Sequence, residues 1–296
     1  MRAHERDFGG PPDVQTCAPP PRPPMSTQTD PRPARDVLVR SGLPPMPRAE
    51  VLGTPLAVTD YEGAMDWMDE VVRRGERACV TAAAVHLVMV AREDRETRRA
   101  VDASLAVPDG VPLVWALRAL GHNAATRVYG PDLMAAYCER SARTGTTMYL
   151  YGGRSEAALE QLTSALLRRY PGLRIVGGWS PPFRPLTEAE RGEVAARINA
   201  TGADVVWVGT GQPKQEKWMA EMRDRLDAPI LAGVGAAFDF HAGIVAQAPV
   251  WMQRNGLEWA YRLAREPRRL WRRYARYNPR FVVAFARQYA AHRARG

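Results

Sequence analysis

Lysine and cysteine are scarce in this chain, long apolar runs are missing, and each scarcity narrows what the protein is. Three cysteines, Cys17, Cys79 and Cys138, are scattered through 296 residues. None has the close spacing of a metal knuckle or redox motif, and an odd count gives no disulfide framework, so a reducing cytoplasm is expected. The five histidines lie too far apart for a zinc site. No run of about 20 apolar residues occurs, so no membrane-spanning helix is expected, and the N-terminus carries no apolar stretch of signal-peptide length. The GxGxxG fingerprint is missing, which weighs against a nucleotide-dependent oxidoreductase. A DxD pair, a common holder of divalent metal on a nucleotide diphosphate, is missing as well. Of 41 basic residues only Lys214 and Lys217 are lysine. With arginine so abundant, charge neutralisation by side chains is expected, with no metal and no other cofactor.

The charge that is present is unevenly spread. The net charge is +9, yet residues 246–296 alone hold twelve arginines against two acids, Glu258 and Glu266. The rest of the chain is therefore close to neutral. A neutral body with a basic tail implies an anionic partner for the tail: nucleic acid, an acidic membrane surface or a diphosphate.

Residues 1–48 hold 12 of the 25 prolines and little periodic pattern, and read as a disordered leader. Beyond it, apolar runs ending near Thr81, Val107, Tyr151, Gly177, Val208 and Val234 read as strands. Helical patterns lie between several of them, at Ser155–Tyr170, Thr187–Ala200 and Pro213–Leu226, and Thr187 with Glu190 spells a capping box. Strand–helix alternation predicts an α/β fold, a Rossmann-like and mostly parallel sheet with flanking helices, over 49–245. Residues 246–296 add a basic amphipathic helical appendage, two or three helices broken near Pro267 and Pro279.

The chemistry-bearing motifs fall at the predicted carboxyl ends of strands, where parallel sheets bind ligands. Pro108-Asp109-Gly110 is either a plain turn or the place of a general base. Gly152 and Gly153 open a helix, which suits a phosphate but equally a structural turn. The segment 209–216, GTGQPKQE, is more specific. Gly209 and Gly211 free the loop, Pro213 suits a first helical turn, and Gln212, Lys214, Gln215 and Glu216 crowd one helix mouth. Around Gly233 and Gly235 small residues admit close packing, and Asp239 with His241 reads as a polar pair, more often structural than functional. In the tail, Arg262, Arg269 and Arg272 fall at helical spacing and are suited to clamp a diphosphate. Trp271, Tyr274 and Tyr277 beside them suit a bilayer interface. Arginine with aromatics also serves single-stranded nucleic acid, whose binding would fall steeply with salt and ignore lipid.

From about Val51 to Gln288 the chain resembles the WecG/TagA/CpsF glycosyltransferases, on VPDGVPLVWA, RVYGPDL, GTGQPKQE, GVGAAFDFHAG and QAPVWMQRNGLEWAYRLAREPRRLWRRY. The resemblance implies an inverting transferase that moves a sugar, N-acetylmannosamine-type or another hexose, from a UDP donor. The acceptor it implies is a polyprenyl-diphosphate-linked glycan at the inner face of the cytoplasmic membrane. The enzyme would then be cytoplasmic and peripheral, with an anionic membrane surface and no nucleic acid as partner, and with room for a homo-oligomer. It implies Asp109 as general base, with Arg127 and Gln215 beside it. For the donor, the strand-end glycine loops and polar helix mouth, with the retained Thr81, point to Thr81, Gly152, Gly153, Gly209, Gly211, Gln212, Lys214, Glu216, Gly235 and Asp239. On the acceptor diphosphate the resemblance implies Arg262, Arg269 and Arg272. One departure stands out. The family's TxN element reads Thr81-Ala82-Ala83, so an amide is lost, and altered sugar preference or a degenerate, non-catalytic scaffold follows as the alternative.

Overall fold

The computed structural model of the protein describes residues 46–294, with the side chains of Arg254 and Arg269 outside the description. The Pro-rich leader expected over 1–48 thus lies, but for its last residues, outside the described residues. Eight strands, β1 (Arg48–Val51), β2 (Thr54–Ala57), β3 (Ala78–Ala83), β4 (Ser104–Pro108), β5 (Thr147–Gly152), β6 (Arg174–Trp179), β7 (Val205–Gly209) and β8 (Ile230–Gly233), form one sheet. Their order is β1-β2-β4-β3-β8-β7-β5-β6. The β1–β2 pair is antiparallel and all other neighbours are parallel. The helices are α1 (Tyr61–Arg74), α2 (Val85–Glu93), α3 (Arg95–Asp102), α4 (Val111–Ala119), α5 (Gly130–Thr144), α6 (Glu156–Arg169), α7 (Glu188–Ala200), α8 (Lys214–Met222), α9 (Ala237–His241), α10 (Val250–Arg254), α11 (Glu258–Arg265) and α12 (Pro267–Arg293). The fold is therefore α/β, a mostly parallel sheet with flanking helices, and the six predicted strands are β3 to β8.

Two-residue periodicity divides the central strands between two cores. Met148, Leu150, Val205 and Trp207 face a core shared with α1, α5, α6 and α9. Their neighbours Tyr149, Tyr151, Val206 and Val208 face α7 and α8. Helices cover both faces, so these strands are continuous apolar runs, as parallel strands generally are. The capping box at Thr187 is formed: the Glu190 amide donates to Thr187 Oγ1 at 3.3 Å and the Thr187 amide to Glu190 Oε2 at 2.8 Å.

The β1–β2 hairpin is an addition to the predicted order. Its two turn residues, Leu52 and Gly53, have φ of 53° and 84°, the positive pair that a tight two-residue hairpin requires. For leucine this costs roughly 1–2 kcal/mol. Gln288 of α12 holds the turn, accepting from the Leu52 amide at 2.8 Å and donating to the Glu50 carbonyl at 2.8 Å.

The tail departs from expectation at Pro279. Pro267 does begin α12, at a position whose N–H would be unused. Pro279 lies inside that helix and does not break it. An interior proline forfeits one backbone bond, at about 3 kcal/mol. Leu270 and Phe281, buried on either side of it, contribute on the order of 1.5–3 kcal/mol each. Arg276 and Arg280 add ion pairs to Glu93 at 2.7 and 2.6 Å, but exposed pairs are weak. Buried side chains, not charges, keep the helix continuous.

Candidate active site

A cavity of about 910 Å³ opens beyond the carboxyl ends of β3, β4, β5, β7 and β8. In parallel sheets this is where ligands sit, because the strand order reverses there and parts the connecting loops. Asp109, Tyr129, Gly153, Arg154, Gly209, Gly211, Gln212, Lys214, Gly235 and Asp239 line it. The segment Pro181–Leu186 covers one side, with Trp218 beside it, and Arg262 and Arg273 enter from the tail.

Asp109 is the first residue after β4. Its amide donates to the Ala83 carbonyl at 2.9 Å, which pins it to β3. Its Oδ1 accepts the Gly130 amide at 2.8 Å, at the first turn of α5, where the free N–H groups of a helix favour an anion. A side chain at Gly130 would sit 3.0 Å from the Val234 carbonyl, so glycine is what lets that amide approach. Burial pushes the carboxyl up to about 6, with Glu258 adding to the rise and Arg127, the Gly130 amide and Arg262 opposing it. A half-buried carboxylate with that value is poised to exchange a proton near neutral pH.

Arg127 does not pair with the Asp109 carboxylate. Its Nε donates to the Asp109 main-chain carbonyl at 2.7 Å, and its Nη2 to Glu258 Oε2 at 2.5 Å. The guanidinium lies 4.1 Å over the Tyr129 ring, whose hydroxyl donates to Glu258 Oε1 at 2.7 Å. Glu258 is only 9% exposed.

Thr81, Gln215 and Glu216 are brought together, but behind the cavity wall. All three are buried. Glu216 Oε1 accepts from Thr81 Oγ1 at 2.6 Å and from Gln215 Nε2 at 2.8 Å. Gln215 Oε1 in turn accepts the Gly235 amide at 3.0 Å. Burial raises the Glu216 carboxyl, and hydrogen bonds from Thr81 and Gln215 oppose the rise. The expectation that these side chains face a ligand is corrected here. One and two residues past Lys214, a helix has turned by about 100° and 200°, which carries them under β8. Gly233 makes the room, since a Cβ there would lie 2.8 Å from Gln215 Nε2.

The glycines divide by role. A Cβ on Gly152 would lie 2.8 Å from the Gly209 carbonyl carbon, and one on Gly209 would lie 2.6 Å from the Phe238 ring. Close backbone packing demands both, and Gly152 is outside the cavity lining. Asp239 pairs with Arg154 through two bonds of 2.9 and 3.0 Å. The expected Asp239–His241 pair is not formed; His241 Nε2 is 2.8 Å from the Pro131 carbonyl. Helix α9 sends the two side chains to different neighbours. Gln212 Nε2 donates to the Ala82 carbonyl at 2.6 Å. Lys217 is engaged by Asp94 at 2.7 Å and Glu96 at 2.6 Å. Ala83 is fully buried among Leu87, Val88 and Ala106, while Ala82 and Ala84 line the cavity.

Of the tail arginines, Arg262 lines the cavity, 5.7 Å from the Phe240 ring. Burial opposes its charge, and Tyr274, Tyr129, Glu258 and Asp109 maintain it. Arg272 instead lies exposed over Trp271 at 5.5 Å, and the side chain of Arg269 is outside the description. Among the described side chains, Arg273 is the α12 arginine in the lining. The face expected to join Arg262 to Arg272 is not formed, because Glu266, with φ −132° and ψ 56°, separates α11 from α12 and resets the helical phase between them. Sequence reasoning also missed Glu258, Tyr129, Arg154, Trp218 and Thr210. The Thr210 hydroxyl is buried with no protein partner. The one signal available was for Glu258, an acid in a segment that is otherwise almost wholly basic.

The model of the Glycosyl transferase WecG/TagA/CpsF family matches residues 49–295.

Proposed function

Because the chain belongs to the WecG/TagA/CpsF glycosyltransferase family, we propose that it is an inverting, metal-independent transferase using a UDP-sugar and a polyprenyl-diphosphate-linked acceptor. At the coarser level it is a glycosyltransferase of cell-surface polysaccharide synthesis, acting on a nucleotide-sugar and a glycan acceptor. The observation that carries the finer reading is Asp109. It is a carboxyl poised near neutrality at a strand end, in the same cavity as Arg262.

Asp109 removes the proton from the acceptor hydroxyl. The freed oxygen attacks the anomeric carbon from the face opposite the nucleotide. A new C–O bond forms as the bond to UDP breaks, and UDP leaves with the electron pair. The proton stays on Asp109 and then passes to water. Lys214, Arg154 and the Thr210 hydroxyl are suited to the donor diphosphate; Arg262 and Arg273 are suited to the acceptor diphosphate. Fixed charges aimed at a developing anion are usually a large catalytic contribution. Gln215, Glu216 and Thr81 act through the Gly235 amide as positioning residues.

Trp251, Trp259 and Trp271 are exposed and lie among the tail arginines, which supports docking on an anionic inner membrane surface. Among the described residues no helix is long and apolar enough to cross a membrane. The test is a panel of UDP-sugars with a short polyprenyl-diphosphate-linked acceptor in detergent and EDTA. Acceptor-dependent UDP release with one donor, giving the inverted anomer, is the expected result. A retained anomer, or activity lost to EDTA and restored by Mg²⁺, would contradict it. Folded protein that turns over no donor would mean a degenerate, non-catalytic scaffold.

A further inference from the structure

Helix α11 delivers one acid to the centre of the site. Glu258, its first residue, divides its two oxygens between Arg127 Nη2 at 2.5 Å and the Tyr129 hydroxyl at 2.7 Å. Arg127 closes the arrangement by donating Nε to the Asp109 main chain at 2.7 Å and lying over Tyr129. The guanidinium therefore spends its directed bonds on a carbonyl and on Glu258, leaving the Asp109 carboxylate to the Gly130 amide. Without Glu258 the fork loses that partner, and the anion that acts most strongly on Arg127 is the Asp109 carboxylate, with Asp132 behind it. A bidentate arginine–carboxylate pair would then form and quench the base.

We propose that Glu258 is a positioning residue of the acid–base centre: it holds Arg127 off the Asp109 carboxylate, so that the base is armed when α11 is docked. This rests on the reading of Asp109 as the base. The groups facing Asp109 are Arg127 and Tyr129 from the segment before α5, the Gly130 amide of α5, Tyr61 of α1, and Glu258 and Arg262 of α11. Asp132 of α5 acts on Arg127 and Tyr61 behind them. Neutralising Glu258 removes a negative charge that raises the Asp109 value and frees a positive one that lowers it. Both changes act in the same direction.

The experiment is the pH profile of kcat/KM for the full chain, for Glu258→Gln and for Glu266→Gln, the tail's other acid. In Glu258→Gln the acid limb should move down by roughly one pH unit, and the plateau should fall about tenfold as the base weakens. Glu266→Gln should leave the limb in place. A second variant, Glu258→Ala, is assayed with added formate, which should restore plateau and limb where formamide does not. A lowered plateau with an unmoved limb, or folded Glu258→Ala that formate leaves unchanged, would overturn the positioning role. Asp109→Asn, run alongside, separates the two claims: if it retains turnover, the base assignment fails whatever Glu258 does.

Discussion

At the scale of single residues, the site depends on backbone donors as much as on side chains. Asp109 is held by two main-chain bonds, one through its amide and one to its carboxylate. Gln215 reaches the cavity only by way of the Gly235 amide. Gln215→Glu would lose the amide that donates to Glu216 and set two carboxylates together in a buried pocket. It should lower stability by roughly 3 kcal/mol or more and be read by urea unfolding. Gln215→Ala should unfold less readily than Gln215→Glu; the reverse order would mean that Gln215 is not hydrogen-bonded as described. The place of Asp109 at a strand end was legible, because an apolar run followed by Pro-Asp-Gly marks it. The inward turn of Gln215 and Glu216 was not. Every residue of Lys214-Gln215-Glu216 is polar, so no hydrophobic pattern tells which face of the helix is buried.

At the scale of elements, the central strands and their helices follow from periodicity, and the failures have physical causes. Strands β1 and β2 are four residues each, too short to show alternation, and pair through a turn with leucine where glycine or asparagine is the usual signal. The partnership of Glu258 with Arg127 spans 131 residues, a distance that no local pattern encodes. Pro279 was misread because local propensity says stop where buried neighbours say continue. Pro279→Ala should therefore raise stability, by up to about 3 kcal/mol, without changing turnover; a lowered Tm would mean that the proline shapes the helix usefully. The packing of α12 on α2 also carries a pH dependence. His86 of α2 meets Tyr277 of α12 edge-on, with centroids 5.0 Å apart. Burial, with Arg273 nearby, lowers its pKa from 6.5 to about 3. The folded state thus holds this histidine neutral where the unfolded chain protonates it. Its contribution is whole above pH 6.5 and is lost as pH falls toward 3. The Tm of His86→Phe should accordingly fall less than that of the wild type between pH 7 and 4, and parallel curves would refute the linkage.

At the scale of the whole molecule, the uneven charge noted in the sequence has a structural counterpart. Arg262 and Arg273 enter the cavity from the tail, and Trp251, Trp259 and Trp271 are exposed, the last of them beneath Arg272. Vesicles containing anionic phosphatidylglycerol should bind the protein, and Trp251→Ala combined with Trp271→Ala should weaken that binding at least tenfold with the fold intact. Equal binding to neutral vesicles at low salt would show that charge plays no part. The most direct measurement is single-turnover UDP release in the presence of acceptor, from pH 4.5 to 8.5, for the wild type and Asp109→Asn. A general base pushed up to about 6 is deprotonated above that pH, so the wild-type rate should rise through an acid limb near pH 6 and then level. Asp109→Asn should lose roughly 10²–10⁴-fold in rate together with that limb. An Asp109→Asn rate within a few-fold of wild type, with the limb intact, would contradict the account.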